Sequence, residues 1–83
     1  MATHNERKHG VSFEEAATCF EDTNGCYFRN DSPSYEDRLI LIAISSRSRL
    51  LFVVHAEVGA DAIRIVSARK ASAAQRRLYD GLE

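Results

Sequence analysis

Three apolar runs in close succession, residues 39–44, 50–56 and 63–68, separated by two short polar turns, constrain this chain more than any other feature. Each run is strand-length, and connections this short join only antiparallel neighbours. The first, Leu39-Ile40-Leu41-Ile42-Ala43-Ile44, is apolar throughout, so it reads as a central strand covered on both faces. Residues 26–29 are a fourth, shorter candidate, followed by the turn-rich linker Asn30-Asp31-Ser32-Pro33-Ser34. The result is an antiparallel meander of three to four strands.

Helices flank it. Residues 5–9 form a polar helical segment ending at Gly10, a residue suited to the left-handed position after a helix. The next helix spans about 13–20: Ser12 caps it, Glu15 completes a capping box and Val11 staples against Ala16. Phe13, Ala16, Ala17 and Phe20 share its apolar face. A last helix over about 73–82 has Ser72 as N-cap and Gln75 at the capping-box position. This order describes a single α+β domain over residues 1–83, a small antiparallel sheet with N-terminal helices and a C-terminal helix packed on it.

A chain of 83 residues buries only about 60% of the surface its unfolded form exposes, so its stability margin is thin. No apolar run approaches the roughly 18 residues of a membrane span, and the polar start has no signal-peptide core, which predicts a cytoplasmic protein. Cys19 and Cys26 lack zinc spacing and are read as buried or half-buried thiols. Histidines 4, 9 and 55 have no paired carboxylate spacing, so neither metal nor cofactor is expected; His4, in the polar start, carries no argument. Net charge is −1, but residues 1–40 carry four basic side chains against eight acidic ones, and residues 41–83 carry seven against four. Six of those seven are arginine, whose planar fork suits phosphate; they form either a nucleic-acid surface or a solvated face.

Taking Gly59-Ala60 as a two-residue loop predicts that His55 faces Arg64 and Val53 faces Val66. Arg47-Ser48 as a second such loop puts Arg38 across from Glu57. His55, Glu57, Arg64 and Arg38 then share one face, either as an ion-pair cluster or as a site.

Three segments, in order, resemble the BrnT family of toxins. Asn5-Glu6-Arg7-Lys8-His9-Gly10-Val11-Ser12-Phe13-Glu14-Glu15-Ala16 matches the family's opening motif; Arg38 leads into an apolar strand; and Ile63-Arg64-Ile65-Val66-Ser67-Ala68-Arg69-Lys70-Ala71 is close to its last strand, followed by Arg76-Arg77-Leu78-Tyr79. The resemblance implies a RelE-like fold and a ribonuclease toxin of a type II toxin–antitoxin pair that suppresses translation. It also implies neutralisation by BrnA, a small ribbon-helix-helix antitoxin. Two departures stand out. The family's short N-terminal strand would precede Met1, so the sheet is expected to lack an edge strand, which a homodimer mate or the antitoxin would cover. The family's Glu in the C-terminal helix is Gln75 here, an amide that cannot take a proton.

Metal-free RNA cleavage needs the 2′-hydroxyl deprotonated, the phosphorane charge balanced and the leaving 5′-oxygen protonated. Arg64 and Arg69, matching the family motif, are assigned to the charge. His9, a histidine matching the family motif, is assigned to proton transfer, or else it is only a helix C-terminal cation. Gln75 completes the catalytic set. If the family Glu is a general base, this copy is slow; if it orders an arginine or caps the helix, Gln75 suffices. Lys8, Lys70, Arg76, Arg77 and Tyr79 are the candidate RNA contacts; Lys8, Arg76 and Arg77 otherwise face the antitoxin or solvent, Tyr79 otherwise packs in the core with a wet hydroxyl, and Ser67 receives no nucleophilic role. The alternative is a catalytically weakened homologue acting as an antitoxin-binding or nucleic-acid-binding module.

Overall fold

The computed structural model describes residues 4–30 and 38–81. Linker positions 31–34 and position 82 of the expected last helix lie outside the described residues. The elements are α1 (His4–His9), α2 (Phe13–Thr18) with a 3-10 turn (Cys19–Glu21), β1 (Cys26–Asn30), β2 (Arg38–Ile44), β3 (Leu50–Val58), β4 (Ala62–Lys70) and α3 (Ala73–Asp80). The strands form one antiparallel sheet in the order β1-β2-β3-β4. This is the expected α+β architecture.

The caps behave locally as the side chains dictate. Gly10 takes φ +73°, a left-handed conformation, and its N–H returns to Glu6 O at 2.8 Å, ending α1. Ser12 Oγ accepts from Glu15 N at 3.0 Å. The Glu15 carboxylate does not complete that box; it accepts hydrogen bonds from Arg49 and from Ser45 Oγ at 2.6 Å. Around Ser72 both halves of the capping box are present, and Gly81 ends α3 in the left-handed conformation.

Val11, Ala16 and Cys19 pack with Leu41, Ala43, Leu51, Val53 and Ala68 into the core on one sheet face, with Phe20 and Ile65 against it. Ala17, expected on that apolar face, is exposed, because the chain tightens into the 3-10 turn and Cys19 turns inward instead. Burial pushes the Cys19 thiol up to about 11.

Asn5 ties α1 to the sheet. Its side chain donates to Val11 O and Ala68 O, both at 2.8 Å, and accepts from Ala68 N at 3.1 Å. One amide thus satisfies the outward-facing backbone groups of Ala68 on the edge strand β4, as a neighbouring strand would.

Neither hairpin has the expected two-residue loop. β3 and β4 close at Val58↔Ala62, leaving three loop residues, and β2 and β3 close at Ile44↔Leu50, leaving five. Between β2 and β3, and between β3 and β4 from His55 to Val58, the register is shifted by one residue from the expected one, which turns side chains to the other face relative to their expected partners; from Leu51 to Val54 the β3–β4 shift is two residues, which keeps the face. His55 faces Ile65, Val53 faces Ala68, and Arg38 and Arg64 both face Ala56. The expected cluster is divided: His55 and Glu57 lie on the core face, Arg38 and Arg64 on the opposite one.

His55 is buried at 2% exposure, edge-on to Phe20 (4.9 Å between centroids) and Tyr27 (6.1 Å). Neither ring nitrogen has a hydrogen-bond partner among the described residues. Burial lowers its pKa, with nearby Glu57 opposing. The unfolded chain, with the ordinary value near 6.5, binds this proton more readily than the folded one, so stability falls as pH drops below about 6.5. His55→Leu is expected to stabilise by about 1 kcal/mol at pH 8, by removing two unsatisfied buried groups. The gain should grow between pH 6.5 and 5; urea midpoints showing the same gain at pH 5 and pH 8 would contradict the assignment.

Candidate functional site: an arginine face made by a bulge

Arg64 and Arg69 are five residues apart on β4, so regular two-residue alternation would put them on opposite faces. A β-bulge prevents this. His55 pairs with Ile65 and Val54 with Ser67, leaving Val66 as an extra residue on β4. Beyond it, Ser67 pairs with Val54 and Arg69 with Phe52, on the same face of β3 as Ala56, the partner of Arg64. Arg64, Ser67 and Arg69 therefore share the face away from the helical core, and Arg38 joins them on the far side of Ala56. Bulges are used in this way to re-aim side chains beside active sites.

Arg69 is held from two sides. Its guanidinium carbon lies 4.3 Å from the centroid of the Phe52 ring. Its Nη1 donates to Gln75 Oε1 and to Lys70 O, each at 3.3 Å. The same Gln75 oxygen accepts from Ser72 N at 2.8 Å, so one amide both caps α3 and orients Arg69. The Phe52 ring beneath the guanidinium and the Gln75 acceptor beside it together restrict where the guanidinium can sit. Arg64 is exposed on the same face.

His9 is half-buried at the end of α1, with Lys8 exposed beside it. Both line a cleft of about 330 Å³ between α1 and the bulge, with Phe13, Val66 and Ser67 in its walls. His4, given no role from sequence, opens α1 and lines the same cleft. Ser67 belongs to both the cleft and the arginine face, so the two are contiguous.

The other candidates are dispersed. Lys70 is exposed at the end of β4, and Arg76 and Arg77 are exposed on α3. The Tyr79 hydroxyl donates to Asp22 Oδ2 at 2.6 Å, which pushes the phenol up to about 12. Asp22 also accepts from Ile44 N at 2.9 Å and Asn24 N at 3.0 Å; these bonds, Ile44's foremost, lower its pKa. Tyr79 is thus a protonated tether for α3, a helix without buried residues. His55, on the core face, is separated from Arg64 by the thickness of the sheet.

Sequence reasoning passed over Phe52 and Ser67. Nothing in the apolar run 50–56 distinguishes the phenylalanine under Arg69 from its neighbours, and the role of Ser67 depends on the bulge. Among the described residues, no three of His, Cys, Asp and Glu converge as metal ligands would.

The profile of the family described as "Ribonuclease toxin, BrnT, of type II toxin-antitoxin system" matches residues 2–75. No curated protein matches the chain.

Proposed function

Because the chain belongs to the BrnT family of ribonuclease toxins from type II toxin–antitoxin systems, we propose that it is a metal-free endoribonuclease that inhibits translation by cutting RNA across the Arg64–Arg69 face. The observation that carries this reading is the bulge at Val66, which turns two arginines otherwise on opposite faces toward one surface. In the reaction, the 2′-oxygen loses its proton and bonds to phosphorus, the bond from phosphorus to the 5′-oxygen breaks, and that oxygen is protonated. A 2′,3′-cyclic phosphate and a 5′-hydroxyl end result. Arg69 and Arg64 balance the charge on the phosphorane oxygens. His9 moves the proton, and Gln75 holds Arg69 in place. Lys8, Lys70, Arg76 and Arg77 track the RNA backbone.

The protein acts in the cytoplasm, in this reading, and is neutralised by a BrnA-like ribbon-helix-helix antitoxin, with that partner or a second copy covering the sheet edge. No helix among the described residues is long and apolar enough to cross a membrane.

The test is cleavage of purified total RNA by the isolated protein in EDTA. Wild type should cut, and Arg64→Ala should slow cutting about 100-fold. The resemblance motivates a second reading, a weakened homologue that only binds antitoxin or nucleic acid: Gln75 is an amide, at a position where the resemblance implies a carboxylate. Steeply salt-dependent RNA binding without any cleavage would establish that reading and overturn the first.

A further inference from the structure

We infer that the cleft between α1 and the β4 bulge is a subsite for one unstacked RNA nucleotide beside the scissile phosphate. This deepens the ribonuclease reading and rests on it. At about 330 Å³ the cleft is at the lower end of small-ligand pockets, the scale of a single nucleotide and not of a helix or a strand of a partner. Its walls combine the three elements that recognise a splayed-out nucleotide: an aromatic ring, hydrogen-bonding groups and a cation. Phe13 supplies the ring, Ser67 and His9 the hydrogen-bonding groups, and Lys8 the cation. Asn5, also in the wall, is not available to a ligand, since its amide is committed to Val11 and Ala68. It fixes the distance between the two walls instead.

The position of the cleft links it to the reaction. Ser67, in its wall, lies two residues before Arg69 on the same face, about 6.6 Å along the strand. A nucleotide seated against Phe13 and Ser67 therefore has its backbone beside His9 and leads directly to Arg69. The extra residue Val66 opens this path: it forms part of the cleft wall and turns Ser67 toward the arginines. The cleft thus reads one base next to the cut, while the arginine face handles the phosphate without regard to sequence.

Proton–nitrogen correlation spectra of the full chain, titrated with the four nucleoside 3′-monophosphates and with inorganic phosphate, test this. A nucleotide should move the amides of Lys8, His9, Phe13 and Ser67 at concentrations where phosphate moves none of them, and one base should do so more strongly. Cut sites in total RNA are then mapped for Phe13→Leu and Ser67→Val, the second variant covering the case in which the first misfolds. Each should lose at least tenfold in kcat/KM and change the base preference at one position beside the cut. Equal effects of phosphate and nucleotide would make the cleft a plain anion site and overturn the inference. So would silent amides together with an unchanged cut pattern. Nucleotide shifts in the cleft of a protein that cuts no RNA would instead remove the ribonuclease reading and leave the nucleotide site standing.

Discussion

Glu15→Ala is expected to destabilise the protein by about 3 kcal/mol and lower its thermal midpoint by roughly 15 °C. The carboxylate is only 4% exposed and sits where α2, the β2–β3 loop and the end of α1 converge. Arg49 Nε donates to Glu15 Oε2 at 2.9 Å, its Nη2 to Glu15 Oε1, and Ser45 Oγ to Glu15 Oε2 at 2.6 Å. The same Arg49 reaches Gly10 O at 3.0 Å, so one arginine joins the first helix to the sheet. Removing the acid leaves Arg49, 24% exposed, without its counter-ion and Ser45 without its acceptor. Arg49→Ala should cost a similar amount, and the double variant clearly less than the sum; additive losses would show that the pair is not coupled. The pH dependence separates this contribution from that of His55. Arg49's hydrogen bonds hold Glu15 below its ordinary value of 4.5, so its contribution is complete above pH 4.5 and disappears as pH falls through the lower folded value. Acid unfolding of the wild type should therefore proceed in two ranges. His55 contributes below pH 6.5 and Glu15 below 4.5, and Glu15→Ala should flatten only the second.

Glu15 also shows where the sequence is legible and where it is not. Ser12 before a helix, with Glu three residues on, signals an N-terminus correctly, because capping is local chemistry between residues three apart. The use of the carboxylate is not local: its partner Arg49 lies 34 positions away, and no spacing rule connects them. The strands follow the same division. Their existence and order follow from apolar runs and short connections, but face assignment depends on loop length to the single residue. Three residues between β3 and β4 where two were expected, and five between β2 and β3, separate His55 and Glu57 from Arg64 and Arg38. The bulge is a further parity change and carries no residue signature at Val66. Arg64 and Arg69 are thus identifiable as candidates from the family motif, while their sharing of one face becomes visible only in the paired sheet. The partner residues Phe52 and Asn5 follow the same pattern. A phenylalanine in an apolar run and an asparagine in a polar helix acquire meaning from what lies across from them.

Arg69→Ala should reduce RNA cleavage in EDTA by about 10²–10³-fold, the loss typical of one charge-stabilising donor at a transition state. The reduction should fall mainly on kcat, because in the proposed mechanism Arg69 meets more negative charge on the phosphorane than on the phosphodiester of the bound substrate. The thermal midpoint should move by only a few degrees, since a half-buried arginine stacked on Phe52 contributes on the order of 1 kcal/mol to folding. Arg69→Lys should recover less than a tenth of the lost rate, because an ammonium cannot present a fork to two oxygens. Position 75 then separates the two roles that a carboxylate could have had there. Gln75 Oε1 already accepts from Ser72 N and from Arg69, two tasks that an amide oxygen performs as well as a carboxylate. If orienting Arg69 is the whole of its function, Gln75→Glu stays within about threefold of wild type while Gln75→Ala loses at least tenfold, a drop set by the misaligned guanidinium. A gain of tenfold or more in Gln75→Glu, growing with pH through the carboxylate range, would instead make position 75 the proton acceptor and this chain a toxin weakened there by a single amide.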